Sequence, residues 1–254
     1  MALGALYASV VGAAYLFQRD LLYERALPGR PPGPALPLDA CAPVPLIWVH
    51  AAPDRPTVLH FHGNGEQLAD LAPLAALFTA RGLGFAAVEY PGVGLAHGEP
   101  TEEGLLGAAR AAALHLREHG VADADLVLSG QSLGSGVAVA LASEGFGTRA
   151  LLVSPYTALP DVGALRFPFL PVHLLMRDRF DSLSRAAQVP QPVLLVHGEQ
   201  DAVIPVGQGK TLAAALPHVA TLFVDGGHLG LFRRADVARA VVDFASGERA
   251  PQPR

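Results

Sequence analysis

Three short stretches hold residue types that could carry nucleophilic chemistry: Gly130-Gln131-Ser132-Leu133-Gly134, Gly198-Glu199-Gln200-Asp201 and Asp225-Gly226-Gly227-His228. A serine hydroxyl is a weak nucleophile until a base takes its proton, and the base needs a third group to orient it. In chain order the three stretches offer a serine, an acid and a histidine. Ser132 stands in Gly-x-Ser-x-Gly, after the apolar run 126–128 and before the small-residue stretch 137–142. A turn from strand to helix this tight strains the serine and brings the residues two before and two after it against neighbouring backbone. Gly130 and Gly134 are therefore physically motivated. The N–H of Leu133 falls at a helix start, where donors lack partners and the dipole favours negative charge. With 27 glycines in the chain, the motif by itself could equally be a plain turn, so its weight comes from its surroundings.

The elements that would position these residues alternate. Short apolar runs at 46–50, 57–62, 85–90, 126–129, 150–154, 192–197 and 221–224 read as strands. Residues 66–80, 101–119, 209–216 and 235–244 read as helices, with Thr101 as an N-cap ahead of Glu102 and Glu103. This alternation predicts right-handed crossovers and a mostly parallel, twisted α/β sheet with helices on both faces. Sites on such sheets form at the carboxyl ends of strands. The acid-bearing and histidine-bearing stretches each follow a predicted strand. Spacing alone leaves Glu199 and Asp201 both open as the acid.

A length of 254 residues suits one large domain at 46–248, with an insertion at about 159–189 and a short tail at 249–254. The insertion holds Phe167, Phe169, Leu170, Leu174, Leu175 and Met176 among three prolines. It is expected either to pack on its own helices or to cap a site and line an acyl pocket. Residues 1–22 begin with an uncharged run, 1–17, which as a helix would span about 25 Å against a hydrocarbon core of about 30 Å. A membrane anchor is expected there, with a signal peptide or a docked helix as the other readings. Arg19, Arg25 and Arg30 follow the run and point the domain toward the cytoplasm. Residues 23–45 are proline-rich and read as an extended linker with at most one short edge strand. The net charge of −5 argues against a nucleic-acid surface. The lone Cys41 has no partner thiol for a disulfide or a zinc site, and reads as a small half-buried hydrophobe.

Taken together, His62-Gly63-Asn64-Gly65, Tyr90-Pro91-Gly92-Val93-Gly94, the Ser132 motif, His197-Gly198-Glu199-Gln200-Asp201 and Gly227-His228 resemble an α/β-hydrolase-fold serine hydrolase. The resemblance is to the Bem46-like subfamily, which takes in the α/β-hydrolase domain-containing 13 and 17 proteins, with a domain of the serine aminopeptidase S33 type. It covers the chain from about residue 57 onward, together with Tyr15-Leu16-Phe17-Gln18-Arg19. It implies Ser132 as nucleophile, His228 as general base and then acid, and Asp201 as its orienter. It also implies an oxyanion hole from the backbone N–H groups of Asn64 and Leu133. Carboxylic esters or thioesters of small or lipid-like acyl groups are the substrates expected, with no cofactor and no metal. A peptidase, an acyltransferase or a membrane-tethered non-catalytic module are the alternatives. In the stretch Gly92-Val93-Gly94-Leu95-Ala96 the family's usual serine is absent, so substrate preference transfers less well than catalysis.

Other histidines invite a metal reading. His60 and His62 would share one face of a strand, and His115 and His119 one face of a helix. Further ligands are wanting near the first pair, and an exposed helix face is the ordinary expectation for the second.

Overall fold

The computed structural model describes residues 1–24 and 29–248. The expected tail at 249–254 lies outside the described residues, as does part of the linker. Within them the chain forms α1 (Ala2–Leu16), α2 (Gln18–Leu22), β1 (Leu46–Val49), β2 (Thr57–Phe61), α3 (Ala72–Thr79), β3 (Gly84–Val88), α4 (Glu102–Glu118), β4 (Leu126–Gln131) and α5 (Leu133–Ser143). Then come β5 (Arg149–Val153), α6 (Leu159–Arg166), α7 (Val172–Leu175), α8 (Ser182–Ala186), β6 (Val193–Gly198), α9 (Val206–Ala215), β7 (Val219–Val224) and α10 (Ala235–Ser246). The strands form one sheet in the order β1-β3-β2-β4-β5-β6-β7. All neighbours are parallel except β1 against β3. The linker meets β1 through an isolated bridge from Leu38 to Ile47.

Alternation along the strands sorts side chains to two faces. Leu59, Phe61, Leu128 and Leu152 face one core, shared with α4 and α5. Val58, Val127, Leu151 and Leu194 face the other, against α3 and α10. Both faces being covered explains why the central strands are apolar throughout rather than alternating with polar residues. The predicted helix at 66–80 is shorter than expected. A single 3-10 turn, Leu68–Asp70, precedes α3, whose first turn contains Pro73. Thr101 does cap α4, with Gly104 N–H donating to its hydroxyl at 2.9 Å.

The N-terminal expectation needs correction. No helix among the described residues is long and apolar enough to cross a membrane. The uncharged run stops being one helix at Phe17, and α2 turns onto the domain, where Arg19 pairs with Asp178 at 3.0 Å. Tyr23 is buried in the main core. Along α1, by contrast, no residue is buried. The insertion folds as α6, α7 and α8. Its apolar residues neither all pack inward nor all face a pocket: Phe169 and Leu174 are 62% and 84% exposed. Cys41 is exposed, not half-buried. His115 lies on a buried face of α4, where it pairs with Asp39 at 2.8 Å, contrary to the exposed face expected for it.

Candidate active site

The strand β4 delivers Ser132 to the sheet's carboxyl edge, and α5 begins at the next residue. Ser132 has φ of 50° and ψ of −120°, a conformation that L side chains rarely adopt and that marks a strained site. Two glycines permit it. A Cβ on Gly130 would strike the carbonyl of Gly134, and one on Gly134 would strike the carbonyls of Phe61 and His62. The Ser132 N–H donates to Val153 O at 2.9 Å, tying the elbow to β5.

The other two stretches converge on it. His228 Nε2 lies 2.9 Å from Ser132 Oγ, and His228 Nδ1 lies 2.7 Å from Asp201 Oδ2. Asp201 is buried, and its Oδ1 accepts the N–H groups of Val203 and Ile204 at 2.9 and 2.8 Å. Burial pushes the Asp201 carboxyl upward, yet the hydrogen bonds from His197, His228 and Ile204 outweigh it and hold the group well below the usual carboxylate range. An ionised carboxylate only accepts, so Nδ1 of His228 carries the proton and Nε2 is left to accept from Ser132. Glu199, the other candidate acid, is exposed and contributes its backbone N–H to Val224 O.

The loop after β2 approaches from the opposite side. Gly63 lies beside Ser132, where an added Cβ would come 3.7 Å from the serine Cβ. The Gly63 N–H is committed to Glu66 Oε2 at 2.7 Å. Leu133 is the first residue of α5, so its N–H has no carbonyl partner within the helix. Gly63, Asn64 and Leu133 line a common small cavity of about 10 Å³, room for about one water molecule.

No protein-family model matches the chain. An uncharacterized protein of Mycobacterium tuberculosis is 37% identical over 161 residues, covering 63% of this chain and 57% of that protein. Alpha/beta hydrolase domain-containing protein 17C of Xenopus tropicalis is 31% identical over 208 residues, covering 80% of this chain and 66% of that protein. The chain belongs to the α/β-hydrolase family. It spans less than two thirds of the length of these relatives. Solved structures agree on the fold. This α/β hydrolase matches a Pyrococcus furiosus esterase with a TM-score of 0.71 at 17% identity, over 87% of this chain and 97% of that one. It matches Paleococcus ferrophilus monoacylglycerol lipase with a TM-score of 0.63 at 18% identity, over 81% and 99%.

Several residues of this α/β hydrolase have roles at the site that spacing did not single out. His197 donates from Nε2 to Ile204 O at 2.8 Å and brings the same nitrogen within 3.3 Å of Asp201 Oδ2. Glu89 and His62 form a fully buried pair at 3.3 Å, and Glu89 also accepts Leu68 and Leu95 N–H groups. The Tyr90 hydroxyl donates to His62 O at 3.0 Å. This pair braces the loop carrying Asn64 against the loop that lacks the family's serine. Ser154, also at positive φ, turns the chain after β5 and directs its hydroxyl to His228 O. His60 belongs elsewhere: it bonds Ser129 Oγ at 3.0 Å, and burial lowers its imidazole to about 3, keeping it neutral. His119 Nδ1 meets the carbonyl of His115. Among the described residues no cluster of three or more His, Cys, Asp or Glu side chains could hold a metal.

Proposed function

We propose that the chain is a serine hydrolase that cleaves carboxylic esters or thioesters of acyl substrates, with Ser132, His228 and Asp201 as its triad. One observation carries the reading: a single unbroken relay from Ser132 Oγ through His228 to Asp201, at 2.9 and 2.7 Å. In this reading His228 Nε2 takes the hydroxyl proton as Ser132 Oγ bonds the acyl carbon. Asp201 stabilises the imidazolium that results without taking its proton. The carbonyl oxygen becomes an oxyanion held by the N–H groups of Leu133 and Asn64. His228 then protonates the leaving alcohol or thiol, and the acyl-serine forms. Water repeats the sequence, with His228 as base, and frees the acid. Losing one oxyanion donor would cost about 3–4 kcal/mol of transition-state stabilisation.

Support for an acyl substrate comes from the apolar exposure on α1 and on the insertion. The uncharged α1 touches the cap, with Tyr7 Oη donating to Phe169 O at 2.9 Å. Leu3, Leu6, Leu16, Phe169 and Leu174 are all exposed. A helix apolar all round that buries none of its residues on its own domain calls for burial in another apolar phase, such as the acyl region of a membrane. We place α1 there as a peripheral seat near lipid-like substrates. Incubation with a fluorophosphonate probe, followed by a panel of p-nitrophenyl esters and acyl thioesters of graded chain length, tests the reading. Labelling of Ser132 with turnover of one panel is the expected result. A chain that neither labels nor turns over would be a non-catalytic module. Cleavage of peptide substrates alone would make it a peptidase.

A further inference from the structure

Both polar atoms of the Asn64 side chain are spent on one short stretch of backbone that precedes the hydrolase domain. Asn64 Nδ2 donates to Leu22 O at 2.9 Å, and Glu24 N–H donates to Asn64 Oδ1 at 3.0 Å. Asn64 is itself exposed, so these bonds add little to the core and act chiefly on orientation. Between the two contacts sits Tyr23, 3% exposed and packed in the main core. With Glu24 it lines the same small cavity as Gly63, Asn64 and Leu133.

The stretch is fixed at its other end as firmly. The Gln18 carboxamide spans the cap backbone, donating to Leu175 O at 3.2 Å and accepting from Arg177 N–H at 2.7 Å. Arg19 makes two hydrogen bonds to Asp178, a buried carboxylate that also accepts Glu102 N–H at 3.1 Å. The strap therefore runs from the cap, past the start of α4, to the loop after β2. On its inner side that loop is held by Glu66 and by the buried pair of His62 and Glu89. Its outer side has the strap.

We infer that residues 18–24 are a positioning strap of the catalytic site, and that they act by fixing the Asn64 peptide so that its N–H faces the oxyanion. The inference rests on the serine-hydrolase reading above. A donor contributes to catalysis only if it already points where charge will develop, since reorienting it during the reaction forfeits most of the gain. The Asn64 peptide has no helix behind it, as Leu133 does, and its side chain is what the strap grips.

The test uses point variants of the full chain. Asn64→Ala removes both bonds from an exposed position. Asn64→Asp keeps an acceptor for Glu24 N–H and loses the donor to Leu22 O. Glu24→Pro deletes the N–H that Asn64 Oδ1 receives, and Glu24→Ala, which keeps that N–H, controls for the loss of the side chain beside Gly65. With p-nitrophenyl acetate, kcat is expected to fall about 10–100-fold in Asn64→Ala, with KM within about threefold. Asn64→Asp and Glu24→Pro are expected to fall in between. The pH–rate profile should keep its shape, because the relay of Ser132, His228 and Asp201 is untouched, and the rate of fluorophosphonate labelling should fall in parallel with kcat. A merely structural role would lower the active fraction and leave the labelling rate of the remaining enzyme unchanged, which would overturn the inference. So would kcat within twofold of wild type in both Asn64→Ala and Glu24→Pro. An inactive, unlabelled wild-type chain would overturn the hydrolase reading as well; an active wild type with unaffected variants overturns the strap alone.

Discussion

His197 Nε2 lies 3.3 Å from Asp201 Oδ2, the same oxygen that receives His228 Nδ1. His197 is fully buried near the end of β6, and a Cβ on Gly209 would collide with its ring, so α9 holds it from behind. Asp201 Oδ2 thus takes His228 Nδ1 and shares the His197 Nε2 proton with Ile204 O, while Oδ1 accepts two backbone N–H groups. His197→Phe keeps a flat ring but removes the donor. It is expected to lower kcat about tenfold, the worth of one hydrogen bond to a charged group, with KM little changed. Steady-state kinetics on a short-chain ester checks this. An unaltered kcat would mean that the backbone N–H groups suffice to fix Asp201.

The acid itself has a sharper signature. Asp201→Asn preserves shape yet favours the wrong tautomer of His228, a change that in a comparable triad costs about 10⁴ in kcat. Glu199→Gln, at an exposed position, should cost less than twofold. Reversed losses would move the role to Glu199.

Asp201 also predicts a stability effect with a definite sign. Its folded pKa is depressed, so its contribution is full above the unfolded carboxylate value of about 3.9 and fades as pH falls through the folded value below it. Asp201→Asn should therefore flatten the loss of stability on acidification below about pH 4. Denaturant melts at several acid pH values measure this. An unchanged slope would mean that other carboxylates dominate the acid transition.

Glycine substitutions separate crowding from free space. Gly134→Ala forces a Cβ onto the carbonyls of Phe61 and His62, and is expected to cost about 3 kcal/mol or more and to abolish probe labelling. Gly107, on α4, has nothing within 4 Å of its missing Cβ. Gly107→Ala should stabilise by about 0.5–1 kcal/mol. Urea unfolding of the two variants gives the contrast, and a destabilised Gly107→Ala would fault the packing assigned to α4.

Much of this was legible in the chain, for identifiable reasons. Central strands such as residues 126–131 are buried on both faces, so each reads as a continuous apolar run, and Thr101 with its acidic neighbours announces α4. The elbow was visible because close backbone approach demands glycine at both 130 and 134. What stayed hidden depends on contacts between distant residues. The buried pair of His62 and Glu89, and the grip of residues 22–24 on Asn64, join segments 27 to 42 positions apart, as the numbering shows. No local pattern encodes them. The end of the uncharged run 1–17 was hidden for a related reason: composition reports that it is apolar, but not that Gln18 and Arg19 bend the chain onto the insertion.

That bend sets where the N-terminus can be cut. Removing residues 1–20 would take away Gln18 and Arg19, leaving Asp178 buried without its guanidinium. Arg19→Ala alone is expected to cost about 1–2 kcal/mol, discounted because Arg19 is 37% exposed. Removing residues 1–16 instead deletes only α1, which buries no residue and meets the domain through the Tyr7 bond to Phe169 O and the stacking of Arg177 on Tyr15. The shorter deletion should melt within a few degrees of the full chain and hydrolyse a soluble short-chain ester at the same rate. If α1 is the membrane seat proposed for it, the full chain should float with phospholipid vesicles and the deleted chain should remain behind. Flotation and melting of the two proteins decide the matter. Equal flotation would assign membrane contact to the cap residues Phe169 and Leu174 rather than to α1. A large drop in melting temperature would show that α1 stabilises the domain and is not a free surface helix.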